Sequence, residues 1–311
     1  MKYEHKPVLL SECIDGLQIK ENGVYVDLTL GRAGHSSEIL KRIPKGKLYS
    51  FDQDEEAIEQ SKTRLGLISS NFELIRSNFE NVKEELEKRG VVAVDGILAD
   101  LGVSSPQLDD PKRGFSYREE EPLDMRMNLD NPLTAAKVCN EYPLDKIAKI
   151  LWQYGEEKGA YRIAKNIVSR RSQSPLRTTL DLVECVKRAK SAKELSKKGH
   201  PAKQTFQAIR IEVNHEEEAL QKMLLDAPFL LKKGGRIAII TFMSLDDRLV
   251  KDRFRELSIL EGSRHGPALL PEQIAKPDFA LVNRKPIVPS AEELDENRRA
   301  MSGKLRIMER I

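Results

Sequence analysis

Between Gly23 and Asp100, short β-branched runs alternate with longer stretches of helical periodicity, and this alternation restricts the fold more than any other feature of the chain. Residues 24–28, 48–52, 72–76 and 96–99 read as strands. Residues 36–42, 54–65 and 79–89 read as helices, the second opened by the acidic turn Asp54-Glu55-Glu56, which suits the positive end of a helix dipole. Strand and helix in strict succession build a parallel sheet with helices on both faces, a doubly wound α/β architecture. After Asp100 the alternation stops. Residues 108–203 carry Pro- and Gly-marked turns and helical segments at 144–153, 160–171 and 180–189, with no strand pattern. The α/β signature returns with a helix over 204–231, a Gly234-Gly235 turn and an apolar strand over 236–241. A charged helix or linker at 291–299 then precedes a last strand at 305–308. The 311 residues therefore divide into a first part of the α/β domain over 1–107, a helical insertion over 108–203 and a second part over 204–311.

The longest nearly apolar run, residues 237–243, is far short of the roughly 20 residues that a bilayer span requires. Glu4, His5, Lys6, Pro7, Glu12 and Asp15 interrupt every apolar stretch that could serve as a signal peptide, so a cytoplasmic protein without membrane contact is expected. Cys13, Cys139 and Cys185 lie far apart, with neither a Cys-x-x-Cys pair nor histidines at ligand spacing, and buried free thiols without a metal are expected. The net charge of +3 is unevenly distributed: residues 160–203 carry +9 by themselves and the rest of the chain −6. That concentration suits a polyanion partner, or else a solvated helical face.

Open α/β sheets bind ligands beyond the carboxyl ends of their strands, where the strand order reverses. The first strand runs into Gly31-Arg32-Ala33-Gly34-His35-Ser36, where glycines and a helix N-terminus let backbone approach a ligand. The run is not Gly-x-Gly-x-x-Gly and does not specify a dinucleotide. The second strand ends in Asp52, whose carboxylate can accept hydrogen bonds from both ribose hydroxyls of an adenosine; Asp54 is at least as well placed to cap the helix that follows. The third is followed by Asn78-Phe79, where the ring can lie against adenine or in the core. An acidic end to the second strand without a phosphate-binding glycine loop favours S-adenosylmethionine over NAD. The fourth strand delivers Asp100 on a tight loop of small residues. There a carboxylate can accept a proton from an exocyclic amine, whose delocalised lone pair makes it a poor nucleophile, or else cap the loop.

Residues 27–36, Asp100-Leu101-Gly102-Val103-Ser104-Ser105-Pro106-Gln107-Leu108-Asp109, Arg113-Gly114-Phe115-Ser116-Tyr117, Pro122-Leu123-Asp124-Met125-Arg126-Met127, Tyr154-Gly155-Glu156-Glu157, His200-Pro201, Thr205-Phe206-Gln207-Ala208-Ile209-Arg210, residues 242–248 and Asn283-Arg284-Lys285-Pro286-Ile287 stand out as a set of runs. Together they resemble the bacterial 16S ribosomal RNA cytosine-N4 methyltransferase family, known as RsmH or MraW. The resemblance implies a class I, Rossmann-like methyltransferase with an inserted helical domain that uses S-adenosylmethionine to methylate N4 of cytidine 1402 in 16S rRNA of the small ribosomal subunit. It implies cofactor contacts at Ala33, Gly34, His35, Asp52, Phe79, Asp100 and Gln107, with Asp100 catalytic. Phe115 and Tyr117 are then candidates to stack a splayed-out cytosine, or anchors for the insertion. Asp124 and Arg126 contact substrate or pair with each other, and Arg162, Lys165, Arg170, Arg171 and Arg177 contact RNA phosphates.

The chain departs from the family where Leu28 and Ala33 replace the common glycines, where Met243 replaces the common histidine, and in the tail Asn297-Arg298-Arg299-Ala300-Met301-Ser302. Ser244 and Asp247 read as a capping box. Two rivals differ in class: a methyltransferase with a DNA or protein acceptor, and a non-catalytic RNA-binding assembly factor. The oligomeric state stays open.

Overall fold

The computed structural model describes residues 7–259 and 277–311. They fall into two units, one from the described parts of Met1–Gly102 and Glu218–Ile311, the other from Val103–Glu217. The first unit holds β1 (Val24–Asp27), β2 (Lys47–Asp52), β3 (Phe72–Arg76), β4 (Val94–Asp100), β5 (Leu231–Thr241), β6 (Phe279–Leu281) and β7 (Lys304–Arg310) in one sheet of order β3-β2-β1-β4-β5-β7-β6. β1 to β5 are parallel, and β7 runs antiparallel to β5 and β6. This is the class I methyltransferase arrangement: doubly wound, mostly parallel, with the order reversing between β1 and β4.

Both faces of the sheet are buried, as the near-continuous apolar runs require. In β5, Ile237 and Ile239 join one core with Val82, Leu86, Leu220, Met223 and Phe254, while Ala238 and Ile240 join the other with Ile14, Leu17, Ile39 and Leu40. Asp54 caps the helix Glu55–Gly66 by accepting the Glu56 N–H, which leaves Asp52 for other partners. The sequence pattern missed the helix Leu10–Leu17, whose first residue follows a left-handed Leu9, and the three-residue β6.

The second unit is helical, with Ala135–Glu141, Leu144–Gln153, Ala160–Arg171, Thr179–Ala189 and Lys203–Asn214 as its longer elements. The single helix expected over 204–231 is instead three pieces: Lys203–Asn214, Glu216–Asp226 and the 3-10 turn Ala227–Leu230, with His215 left-handed at φ 51°. The first piece buries Phe206 and Ile209 and packs on the helices Ala135–Glu141 and Leu144–Gln153. The last two bury Leu220, Met223, Leu224 and Leu230 beside the sheet. The units therefore divide after Gly102 and after Glu217, where the expected divisions were after Gln107 and Lys203.

The capping box expected of Ser244 and Asp247 is not formed. The helix Ser244–Ser258 opens without a side-chain cap, and the Asp247 carboxylate turns to Arg306 Nε at 2.7 Å and Lys304 Nζ at 3.2 Å on β7. Two cations outcompete one backbone N–H. Among the described residues no helix is long and apolar enough to cross a membrane.

Candidate active site

β1, β2 and β4 end side by side, and their last residues are all aspartates: Asp27, Asp52 and Asp100. The parallel register brings three carboxylates to one edge of the sheet. Each is held differently. Asp27 is buried, accepts from Ser36 Oγ at 2.7 Å and from the Thr29 N–H at 3.1 Å, and Ser36 in turn meets Ser50. Burial pushes its carboxyl above the usual range against the opposing pull of His35 and Ser36.

Asp52 accepts the Gly31 N–H at 2.9 Å on one oxygen and the Asp54 N–H at 2.9 Å on the other. Burial raises it to about 6 despite these bonds. The Gly31 contact fixes the loop that leaves β1, where Gly31 has φ 48° and Ala33 φ 58° immediately before the helix Gly34–Arg42. Gly31 takes this left-handed conformation at no steric cost, whereas Ala33 holds it under strain of about 1–2 kcal/mol because its Cβ crowds the following carbonyl.

Asp100 is the least satisfied of the three. Its N–H donates to Thr29 Oγ1 at 2.6 Å, but its Oδ1 is buried and has no hydrogen-bond partner among the described residues. Oδ2 lies 3.9 Å from His35 Nδ1, beyond hydrogen-bond reach. His35 Nε2 is 3.0 Å from the Val8 carbonyl, which can only accept, so Nε2 carries the proton. Burial, with Asp27 and Glu293 nearby, pushes the Asp100 carboxyl up to about 8. Glu293 is held at the site by the Leu9 N–H at 2.8 Å. The edge thus gathers four acids against a single imidazole, a donor set short of positive charge that fits a cationic ligand. Phe79 begins a 3-10 turn after β3, half-buried against the core with part of its ring in solvent.

Comparison with known proteins agrees with this frame. The MraW methylase family model matches residues 2–311. The chain belongs to the MraW methylase family. A protein of Limosilactobacillus fermentum called "Ribosomal RNA small subunit methyltransferase H" is 51% identical over all of this chain and 99% of its own. A protein of the same name from Exiguobacterium sibiricum is 50% identical over 99% of each chain, and one from Streptococcus mutans 50% over 99% and 98%. As a member of the MraW methylase family the chain is an S-adenosylmethionine-dependent methyltransferase.

The remaining positions singled out in the sequence lie in the second unit. Gln107 is buried and closes a capping box with Ser104. Phe115 is buried, and Tyr117 stacks on His200 at 4.4 Å with Phe206 edge-on at 5.6 Å, so both rings act as anchors within the unit. Asp124 and Arg126 pair with each other through two bonds of 2.9 and 2.8 Å. In the basic stretch, Arg162 pairs with Glu194 and Arg170 with Asp181, and Arg171 caps the Cys139 and Tyr142 carbonyls. Three positions at the sheet edge were missed from sequence: Asp27, Thr29 and Glu293. Asp27 carries the same strand-end signal as Asp52 and Asp100, while Thr29 and Glu293 give none. Among the described residues no cluster of His, Cys, Asp or Glu is placed to hold a metal.

Proposed function

We propose that the chain methylates N4 of cytidine 1402 in the 16S rRNA of the small ribosomal subunit, in the cytoplasm, with Asp100 at the acceptor amine. The rRNA substrate is supported by the relatives named "Ribosomal RNA small subunit methyltransferase H", about half identical over the full chain. The observation that carries the chemistry is the buried, unpartnered Oδ1 of Asp100 at the end of β4, an acceptor with nothing to accept. S-adenosylmethionine, when bound, supplies a methyl group on a sulfonium. Ala33, Gly34 and His35 would hold its methionine end, Asp52 its ribose hydroxyls and Phe79 its adenine. The Asp100 carboxylate would accept the N4–H as that nitrogen bonds to the methyl carbon; the carbon–sulfur bond would break in the same displacement with its electron pair returning to sulfur, so the proton leaves as the amine gains the methyl. Phe115, Tyr117, Asp124 and Arg126 shape the part of the second unit that receives RNA.

The test is transfer of labelled methyl to purified small subunits lacking the modification, followed by nucleoside analysis of the digested RNA. Label in N4-methylcytidine is the expected result. Label in another nucleoside or in protein would overturn the acceptor assignment, and cofactor binding without any transfer would favour the assembly-factor reading.

A further inference from the structure

Several basic side chains of the second unit are neutralised inside it. Arg126, Arg162, Arg170, Arg188, Lys190 and Arg210 each face a carboxylate. Arg118 and Lys187 behave differently, because both act on one side chain, His200, and neither has a carboxylate partner among the described residues. The chain brings them there by independent routes. Arg118 follows Tyr117, whose ring lies on the imidazole at 13° between planes. Lys187 is one turn ahead of Lys190, whose Nζ reaches the Pro201 carbonyl at 2.7 Å and so ties the end of the helix Thr179–Ala189 to the residue after His200.

The imidazole itself is set for a particular task. Its Nδ1 accepts the Ala202 N–H, which leaves the proton on Nε2 as an outward donor. Burial lowers its pKa below the usual value, and Lys187 and Arg118 lower it further, so the ring is neutral at physiological pH. Tyr117 covers one face and Phe206 buttresses the tyrosine edge-on, while His200 stays half-exposed. A neutral aromatic ring, fixed in orientation and flanked by two uncompensated cations, is what a single-stranded nucleic acid needs: a π-face for a base and positive charge for the phosphates on either side.

We propose that His200, backed by Tyr117, is a stacking platform for an unpaired base of the RNA substrate, with Arg118 and Lys187 contacting the adjoining phosphates. The inference rests on the reading of the chain as an RNA methyltransferase and names where the second unit grips the strand. It also moves the stacking role from Phe115 and Tyr117 to His200, since Phe115 is buried and one face of Tyr117 is occupied.

The experiment uses the full chain and a fluorescein-labelled single-stranded oligocytidylate, read by anisotropy across a salt series. The wild-type protein binds the probe. His200→Ala weakens binding by about 5- to 150-fold, the range for one stacked base, and His200→Phe restores most of the loss because it keeps the ring. Arg118→Ala and Lys187→Ala, both exposed and free of packing roles, each reduce the slope of log affinity against log salt by about 0.7, the single-strand value for one phosphate contact. S-adenosylmethionine affinity by calorimetry is unchanged in all four. No binding by the wild type, unchanged salt slopes in the two cation variants, or His200→Phe as weak as His200→Ala each overturns the proposal. So does displacement of the probe by polyglutamate as readily as by unlabelled RNA, which would mark a surface for an acidic protein. A wild type that transfers methyl to small subunits while these variants bind RNA normally refutes the platform alone. Absence of methyl transfer by the wild type refutes the proposed function instead.

Discussion

If the sulfonium of S-adenosylmethionine sits beside Asp100, cofactor binding must be linked to the loss of a proton. In the protein by itself the carboxyl titrates near 8, held up by burial and by Asp27 and Glu293, so at pH 6 only about 1% of it is ionised. A positive charge within about 4–6 Å lowers a carboxyl pKa by roughly 1–3 units, which places the complex near 5 to 7. The sign follows directly: the complex holds fewer protons than the free protein between these two values, so affinity rises with pH across that window. The Kd should fall by about tenfold per pH unit up to pH 8 and be flat above it, a total change of about 10- to 1,000-fold. S-adenosylhomocysteine lacks the methyl group and with it the charge on sulfur but shares every other group, so its Kd should show a slope shallower by one unit over the same range. Titration calorimetry in buffers of different ionisation enthalpy would also count the released proton directly. Asp100→Asn should flatten the extra slope for S-adenosylmethionine. Equal slopes for the two ligands in the wild-type protein would refute the placement of Asp100 against the sulfonium.

Other consequences are independent of the cofactor. Asp247→Ala leaves Arg306, almost fully buried on β7, without its carboxylate and should cost about 3–5 kcal/mol in urea unfolding. Burial alone would raise the Asp247 carboxyl, but hydrogen bonds from Arg306 and Lys304 hold it below the usual range. Its contribution is therefore present above the unfolded pKa and lost as pH falls through the folded value, and Asp247→Ala should flatten that acid limb of the stability profile. Gly114 has φ 71° and its missing Cβ would strike the Pro122 carbonyl, so Gly114→Ala should lower the melting temperature by several degrees and loosen the segment 113–127 to proteolysis. Cys13, Cys139 and Cys185 are buried with thiols pushed up by burial, so Ellman's reagent should count no reactive thiol in the native protein and three after denaturation.

The parallel half of the sheet and its binding edge were legible because short apolar, β-branched runs and strand-helix succession are local patterns, and parallel topology necessarily gathers the strand ends on one side. Asp52 and Asp100 could be picked from sequence for that reason, and the helices Leu144–Gln153 and Ala160–Arg171 matched the predicted limits because their apolar faces repeat at helical spacing. The break at His215 was not legible. Helical periodicity continues through it, and the bend arises only because the residues before and after bury their apolar faces in different units.

What tertiary structure alone decided are the pairings between residues remote in the chain. Thr29 receives the Asp100 N–H across 71 residues, and Glu293 reaches the same edge from the last part of the chain. Arg306 takes Asp247 away from the helix cap that its spacing from Ser244 suggested, and His200 covers the ring of Tyr117. Such contacts leave no period in the sequence, since each depends on two side chains meeting only after the segments carrying them are packed. The sequence by itself determined the parallel strands, their edge and the strand-end aspartates upon it; the folded chain decided which of those aspartates is left without a partner, and therefore which one is free for chemistry.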